Sequence, residues 1–375
     1  MKETGVVREV LSRRLDTGVH LVTVERPGCT DYYLSAQHVP GGSFSQLCGV
    51  VAGTVRELGA ALVSLDVFGM PGAALPELQE AFDGLSCPVT WLEGRLDHDA
   101  ALYGLLVWAV KGPEVKPVKH GNAQAGVTFS ADGFQYCRLG GIVAANLNAT
   151  REEQTRSVFD RMEQALAGAG MNFLNVVRTW FYNAGMLEWY DVFNKVRTAY
   201  FVEQGLFDKF VPASTGIGCL NGRDGALTGS LLAIQPGNGL PGPKEVLSPL
   251  QRSSMEYGSA FSRATEFTAG GVRRLFISGT ASIEPGGRSV HIGDVRAQIE
   301  LTLDVVQAIL LSRDMDWNSV SRSIAYFKDA ANEPVLQECM AKRSMPYLPG
   351  LRAHTDICRD DLLFELELDA VRIEN

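Results

Sequence analysis

None of the seven cysteines forms a Cys-x-x-Cys pair, and the six histidines show no zinc-ligand spacing. Neither a disulfide framework nor a dedicated metal site is expected, and the thiols read as reduced, as in a cytoplasmic protein. Also missing are a Gly-x-Gly-x-x-Gly loop and a phosphate-binding lysine loop, so no cofactor is expected. No uninterrupted apolar run approaches bilayer-spanning length, and the opening MKETGVVREVLSRR carries no apolar segment behind its basic residues. No membrane partner is therefore expected. Basic excess is absent too: 34 Lys and Arg stand against 43 Asp and Glu, a net charge of −9. That balance argues against nucleic acid as the main partner. A small anion is still admissible, because local arginines set the field inside a pocket.

The sequence does contain a repeat. At a constant offset of 144, QTRSVFDRMEQALAGAG…NVVRTWFY from Gln154 aligns with QIELTLDVVQAILLSRD…SVSRSIAYF from Gln298. Phe159 falls over Leu303, Met162 over Val306, Leu166 over Leu310 and Arg178 over Arg322. Apolar residues three or four apart predict amphipathic helices over Gln154–Ala169 and Gln298–Leu311. Strands are expected at Leu139–Ala144, Leu174–Tyr182, Leu275–Ser278 and Val320–Phe327, with second helices at Trp189–Val202 and Val335–Arg343. The organisation follows as 1–120, a divergent N-terminal unit; 121–243, the first clear repeat; and 244–375, the second. In the first unit Val19–Val24, Val50–Ala52 and Leu62–Val67 read as strands, Leu92–Val110 as helical and Lys111–Lys119 as a connection. The fold class is α+β, with helices on one face of each sheet. Three joined units would cover their own inner edges, so a pseudo-trimeric single chain working as a monomer is expected.

One difference between the repeats looks chemical. The first ends in Leu231-Leu232-Ala233-Ile234, the second in Phe364-Glu365-Leu366-Glu367-Leu368-Asp369. Strand alternation turns Glu365 and Glu367 to one face. On a solvated edge such acids are unremarkable; closing a pocket, one of them with its pKa raised by burial could protonate a substrate. Arginines stand at Arg178, Arg197, Arg263, Arg352 and Arg359. Internal acids could pair with them, or several could converge on a substrate with more than one carboxylate. The runs Ser278-Gly279-Thr280-Ala281-Ser282 and Pro212-Ala213-Ser214-Thr215-Gly216 would let main chain approach a ligand, or simply make tight turns.

SGTAS…HIGD followed by RAHTDICRDDLLFELELDA resembles the trimeric imine and enamine deaminases. Together with NVVRTWFY, FNKVRTAYF and PASTGIG, the doubled pattern more specifically resembles the chorismatases, over roughly residues 120–375. The resemblance implies tandem deaminase-like (chorismate-mutase-like) units, with chorismate or a similar small dicarboxylate as ligand and pyruvate released without a cofactor. It places the catalytic acid on Glu365, seven residues after a pocket cysteine at Cys358. Substrate-binding arginines fall on Arg178 and Arg263, then Arg197 and Arg359, and the deaminases' carboxylate-binding arginine falls on Arg352. In that family a cysteine at the position of Cys358 looks like a mark of the branch that makes 3-hydroxybenzoate, sometimes with 4-hydroxybenzoate, whereas Gly279, if it lines the same pocket, leaves the product open. The competing readings are imine or enamine hydrolysis and a non-enzymatic metabolite-binding module.

Overall fold

A computed structural model describes residues 8–39, 41–84, 86–94, 103–257 and 259–374. One pattern is built three times. The first unit contains β1 (Glu9–Arg14), β2 (His20–Arg26), β3 (Cys29–Gln37), α1 (Phe44–Leu58), β4 (Ala61–Phe68), α2 (Leu75–Ala81), β5 (Val89–Leu92) and β6 (Gly104–Lys111). The second contains β7 (Lys116–His120), β8 (Ala123–Ala131), β9 (Phe134–Ile142), α3 (Arg151–Gly168), β10 (Val176–Asn183), α4 (Tyr190–Glu203), β11 (Ala213–Gly218) and β12 (Leu227–Pro236). The third contains β13 (Lys244–Val246), β14 (Ala264–Ala269), β15 (Val272–Ala281), α5 (Val295–Leu311), β16 (Val320–Phe327), α6 (Glu333–Lys342), β17 (Gly350–His354) and β18 (Phe364–Ile373). The three sheets run β1-β2-β3-β6-β4-β5, β7-β8-β9-β12-β10-β11 and β13-β14-β15-β18-β16-β17.

The offset of 144 is kept in three dimensions, since α3 and α5 begin at Arg151 and Val295 and β10 and β16 at Val176 and Val320. Each unit also interrupts its ladder at the same place, between Leu62 and Ser64, Val176 and Arg178, and Val320 and Arg322. Thr150 starts α3 with a reciprocal capping pair to Glu153. Val158, Phe159, Met162 and Leu166 of α3 are buried against their sheet, each stabilising the fold by roughly 1.5–3 kcal/mol. The opposite sheet faces meet in a common centre where Phe68 packs edge-on to Tyr182 and Trp108 on Phe129.

Three readings of the N-terminal third are corrected. Val50–Ala52 lies inside α1, whose Ser43 cap and Gly59 end enclose an amphipathic stretch. The helical pattern over Leu92–Val110 is instead the end of β5 and, from Gly104, strand β6; residues 95–102 lie outside the described residues. β6 is covered on both faces, and such a strand reads as one apolar run. Within 111–119, Lys116 begins β7, an edge strand paired with β8 in the second sheet. Among the described residues, no helix is long and apolar enough to cross a membrane.

Candidate active site

β18 turns Phe364, Leu366 and Leu368 into the helix-covered core, which leaves Glu365, Glu367 and Asp369 facing the neighbouring sheets. Glu365 lines a cleft of about 1130 Å³ between the second and third units. The second unit contributes Tyr190, Asn194 and Arg197 from α4 and Ser214 and Gly216 from β11. From the third unit come Phe261, Arg263, Gly279, Cys358 and Arg359.

Glu365 is 4% exposed. Burial pushes its carboxyl up to about 8; the nearby Glu367 carboxylate adds to the rise, while Arg178 and Arg263 oppose it. It is therefore a neutral acid at pH 7. The Cys358 thiol is pushed up to about 12, first by burial and next by Glu365, so it too is neutral. A Cβ built on Gly279 would collide with the Glu365 carboxyl oxygen, and the Gly279 N–H donates to Thr215 Oγ1 at 3.0 Å. The glycine thus makes room for the acid and ties β15 to β11.

Around this acid the arginines are fixed by their neighbours. Arg197 donates to Asn194 Oδ1 at 2.6 Å and lies 5.1 Å over the Phe193 ring. Arg263 Nε donates to the Arg252 carbonyl at 3.0 Å. Arg359 donates to the Gly287 carbonyl at 2.8 Å. Among the described residues the guanidinium groups of Arg197, Arg263 and Arg359 line the cleft beside Glu365, with the exposed Asp191 among its other lining residues. Planar guanidinium forks on the walls of one cleft suit an anionic ligand.

Glu365, Arg197, Arg263, Arg359, Cys358 and Gly279 are brought together; Arg178 and Arg352 are not. Arg178 is fully buried, donating to Thr215 Oγ1 at 2.6 Å and to Glu367 Oε2 at 2.9 Å. It lies behind the cleft wall, where the Glu367 carboxylate recruits it as a counterion. Burial alone would raise the Glu367 carboxyl, but Arg322 and Arg178, with the Thr215 hydroxyl, hold it below the ordinary carboxylate range.

Arg352 lies at another interface. Its N–H donates to Gln37 Oε1 at 2.7 Å, joining β17 to the first unit, and its side chain pairs with Glu333 at 3.3 Å. Sheet register explains the separation. Arg352 pairs with Ala325 as Gly216 pairs with Phe181, so in the Glu365 cleft that strand position is a glycine. Tyr326, Tyr182 and Phe68 pair in turn with Glu365, Thr228 and Gly104, so the interface holding Arg352 has Gly104 where the acid would be. A Cβ on Gly104 would come within 2.6 Å of the Ala36 carbonyl oxygen and of Leu351, which closes that interface against a side chain.

Tyr190, Asn194 and Phe261 were missed by sequence reasoning. Asn194 and Arg197 lie three apart on α4, a spacing that could have paired them. Tyr190 announces itself only in space, where its hydroxyl would meet a Cβ on Gly216 at 2.8 Å.

No family model matches the chain. A 3-hydroxybenzoate synthase of Streptomyces hygroscopicus is 30% identical over 275 residues, which cover 66% of this chain and 77% of that protein. This chain belongs to the chorismatase family. A chorismatase of Streptomyces rapamycinicus is 28% identical over 302 residues, covering 75% of this chain and 86% of the relative. A chorismatase crystal structure superposes with a TM-score of 0.63 at 22% identity, over 90% of this chain and 98% of the other. That likeness extends the shared chorismatase fold through the N-terminal unit, where the sequence resemblance was weakest.

Proposed function

We propose that this protein is a chorismatase, releasing pyruvate from chorismate in the cleft between its second and third units without a cofactor. The observation that carries the reading is Glu365: a buried carboxyl, neutral at pH 7, on the wall of a cleft lined by the guanidinium groups of Arg197, Arg263 and Arg359. Chorismate has two carboxylates and an enol ether on a cyclohexadiene ring. Arg197, Arg263 and Arg359 hold the carboxylates, while Arg178 acts from behind through Glu367 and Thr215. Glu365 gives its proton to the enol-ether methylene carbon, leaving an oxocarbenium centre. A hydroxyl, from water or from the ring, adds to that centre, pyruvate departs and a proton returns to Glu365. With 3-hydroxybenzoate as ring product, the two products account for every atom of chorismate, so no net water is consumed.

The neutral Cys358 thiol on the cleft wall and the kinship to a 3-hydroxybenzoate synthase support 3-hydroxybenzoate as that product; 4-hydroxybenzoate is a second aromatic to assay for. The cleft is assembled within one chain, in keeping with a working monomer, and all seven free cysteines accord with a reducing cytoplasmic setting. Imine hydrolysis by a deaminase would need one arginine, so three in a cleft of about 1130 Å³ favour the larger dianion. Incubation with chorismate, following pyruvate and aromatic products together, is the test. Pyruvate and 3-hydroxybenzoate in equal amounts are expected; fresh enzyme that leaves chorismate intact would refute the reading.

A further inference from the structure

The interface between the first and second units repeats the Glu365 cleft in altered form. It holds a cavity, open to solvent, of about 570 Å³ lined by Trp91, Gly141, Asn221, Gly222, Arg223 and Thr228. Thr228 occupies the Glu365 register position, because it pairs with Tyr182 as Glu365 pairs with Tyr326. The loops correspond as well. Leu220 bridges to Gly94 as Asp356 bridges to Gly218. Counted from those bridges, Gly222 takes the place of Cys358 and Arg223 that of Arg359. This cavity therefore keeps an arginine of the catalytic cleft and exchanges the proton donor for a hydroxyl.

One buried hydroxyl has unmet bonding capacity, and one exposed cation is available to a ligand. Thr228 is 2% exposed, and among the described residues its Oγ1 has no hydrogen-bond partner. Leaving a buried hydroxyl unpaired is costly, so a partner entering the cavity would be stabilised by it. The exposed Arg223 side chain makes no hydrogen bond or ion pair among the described residues, although its backbone N–H donates to Asn221 Oδ1 at 3.2 Å. An acid beside Gly72 and Gly222 of the cavity wall, Glu93, accepts from the Gly72 N–H at 2.6 Å, and its negative charge disfavours a dianion here and leaves room for a single carboxylate at Arg223.

The size and shape of the cavity narrow the ligand further. Where the catalytic cleft has Gly216, this cavity has Trp91, since each lies one position beyond a matching threonine, Thr215 and Thr90. The indole is held by its N–H to the Met70 carbonyl at 2.8 Å and by the edge contact with Phe44. A fixed aromatic wall in a pocket smaller than the catalytic cleft suits one flat ring.

We infer that this cavity is a second, non-catalytic binding site for a single-ring monocarboxylate, with its carboxylate on Arg223, its ring beside Trp91 and a polar ring substituent or carboxylate edge on Thr228. The inference rests on the geometry of this interface and not on the reaction at Glu365. Benzoate is a suitable probe, read by quenching of indole fluorescence and by titration calorimetry on the full chain. Trp91→Phe identifies the signal of this site. Saturable quenching that is lost in Trp91→Phe is expected, with affinity about tenfold or more weaker in Arg223→Ala, as for loss of a charge-assisted contact. The near-isosteric Thr228→Val should also weaken a hydroxybenzoate probe while its thermal unfolding stays close to the parent's. Arg263→Ala, in the catalytic cleft, should leave this quenching unchanged. Absence of Trp91-dependent quenching, or equal affinity in the parent and Arg223→Ala, would overturn the inference. Neither outcome depends on whether chorismate is turned over.

Discussion

Arg178 and Arg322, equivalent residues of successive repeats, close on the two oxygens of one carboxylate, Arg178 at 2.9 Å from Glu367 Oε2 and Arg322 at 2.7 Å from Oε1. Trp180 adds a third donor at 3.0 Å. Removing the acid strands the buried Arg178 cation and leaves Arg322 only the longer ion pair with Asp369 at 3.4 Å. Glu367→Gln should therefore destabilise the fold by about 3–5 kcal/mol, the usual cost of breaking a buried pair from one side. It should also shift the alkaline limb of the pH–rate profile to lower pH, since the Glu365 carboxyl would lose a negative neighbour. Denaturant unfolding and a pH profile read the two effects separately. An unchanged profile would show that Glu367 has no influence on the acid.

Glu365→Gln keeps the size and polarity of the side chain but has no acidic proton. Pyruvate release should fall by about 100-fold or more in kcat, with substrate binding near normal. Turnover close to the parent's would move the proton donor elsewhere.

With Glu365 as the proposed proton donor, kcat/KM should be level below pH 8 and fall about tenfold per unit above it. The same carboxyl couples stability to pH. Its folded value of about 8 lies above its ordinary 4.5, so the stability it contributes is complete below 4.5 and is lost as pH rises towards 8. Relative to Glu365→Gln, the parent should lose on the order of 1 kcal/mol per pH unit inside that window. Unfolding curves at pH 5, 6.5 and 8 measure the difference, and a constant gap would contradict it.

Arg263 and Arg178 should separate by phenotype. Arg263→Ala, at the cleft wall, should raise KM with little change in unfolding midpoint, and lysine should restore only part of the loss because it lacks the planar fork. Arg178→Ala should instead lower the midpoint, because it uncovers Glu367. Matching stability losses in both variants would place Arg263 among the structural arginines.

Much of this architecture is legible in the sequence. The helix expected over Gln154–Ala169 is α3 at Arg151–Gly168, because its apolar stripe and its Thr150 cap are local signals. Glu365 was legible because acids interrupt a strand whose repeat partner is apolar. The partners of the arginines were not: Glu367 is 189 residues from Arg178, and no spacing rule reaches that far. Arg352 was misplaced for a related reason. A motif names a strand position, while the interface that strand faces is decided by how three units close on one another. The N-terminal unit was hardest to read, since β6, buried on both faces, lacks the alternation that distinguishes a strand from a helix.

The three matching positions Glu365, Thr228 and Gly104 have an evolutionary consequence. In a ring of identical subunits one codon writes all three pockets, so any gain at one is imposed on the others. Fusion into a single polypeptide lifts that constraint. One interface could deepen into a reaction vessel for a dianion, another could retain a hydroxyl and an arginine, and the third could close over a glycine. In a single-chain ring a substitution therefore acts on one interface at a time, and three pockets of common design can differ in chemistry without disturbing one another.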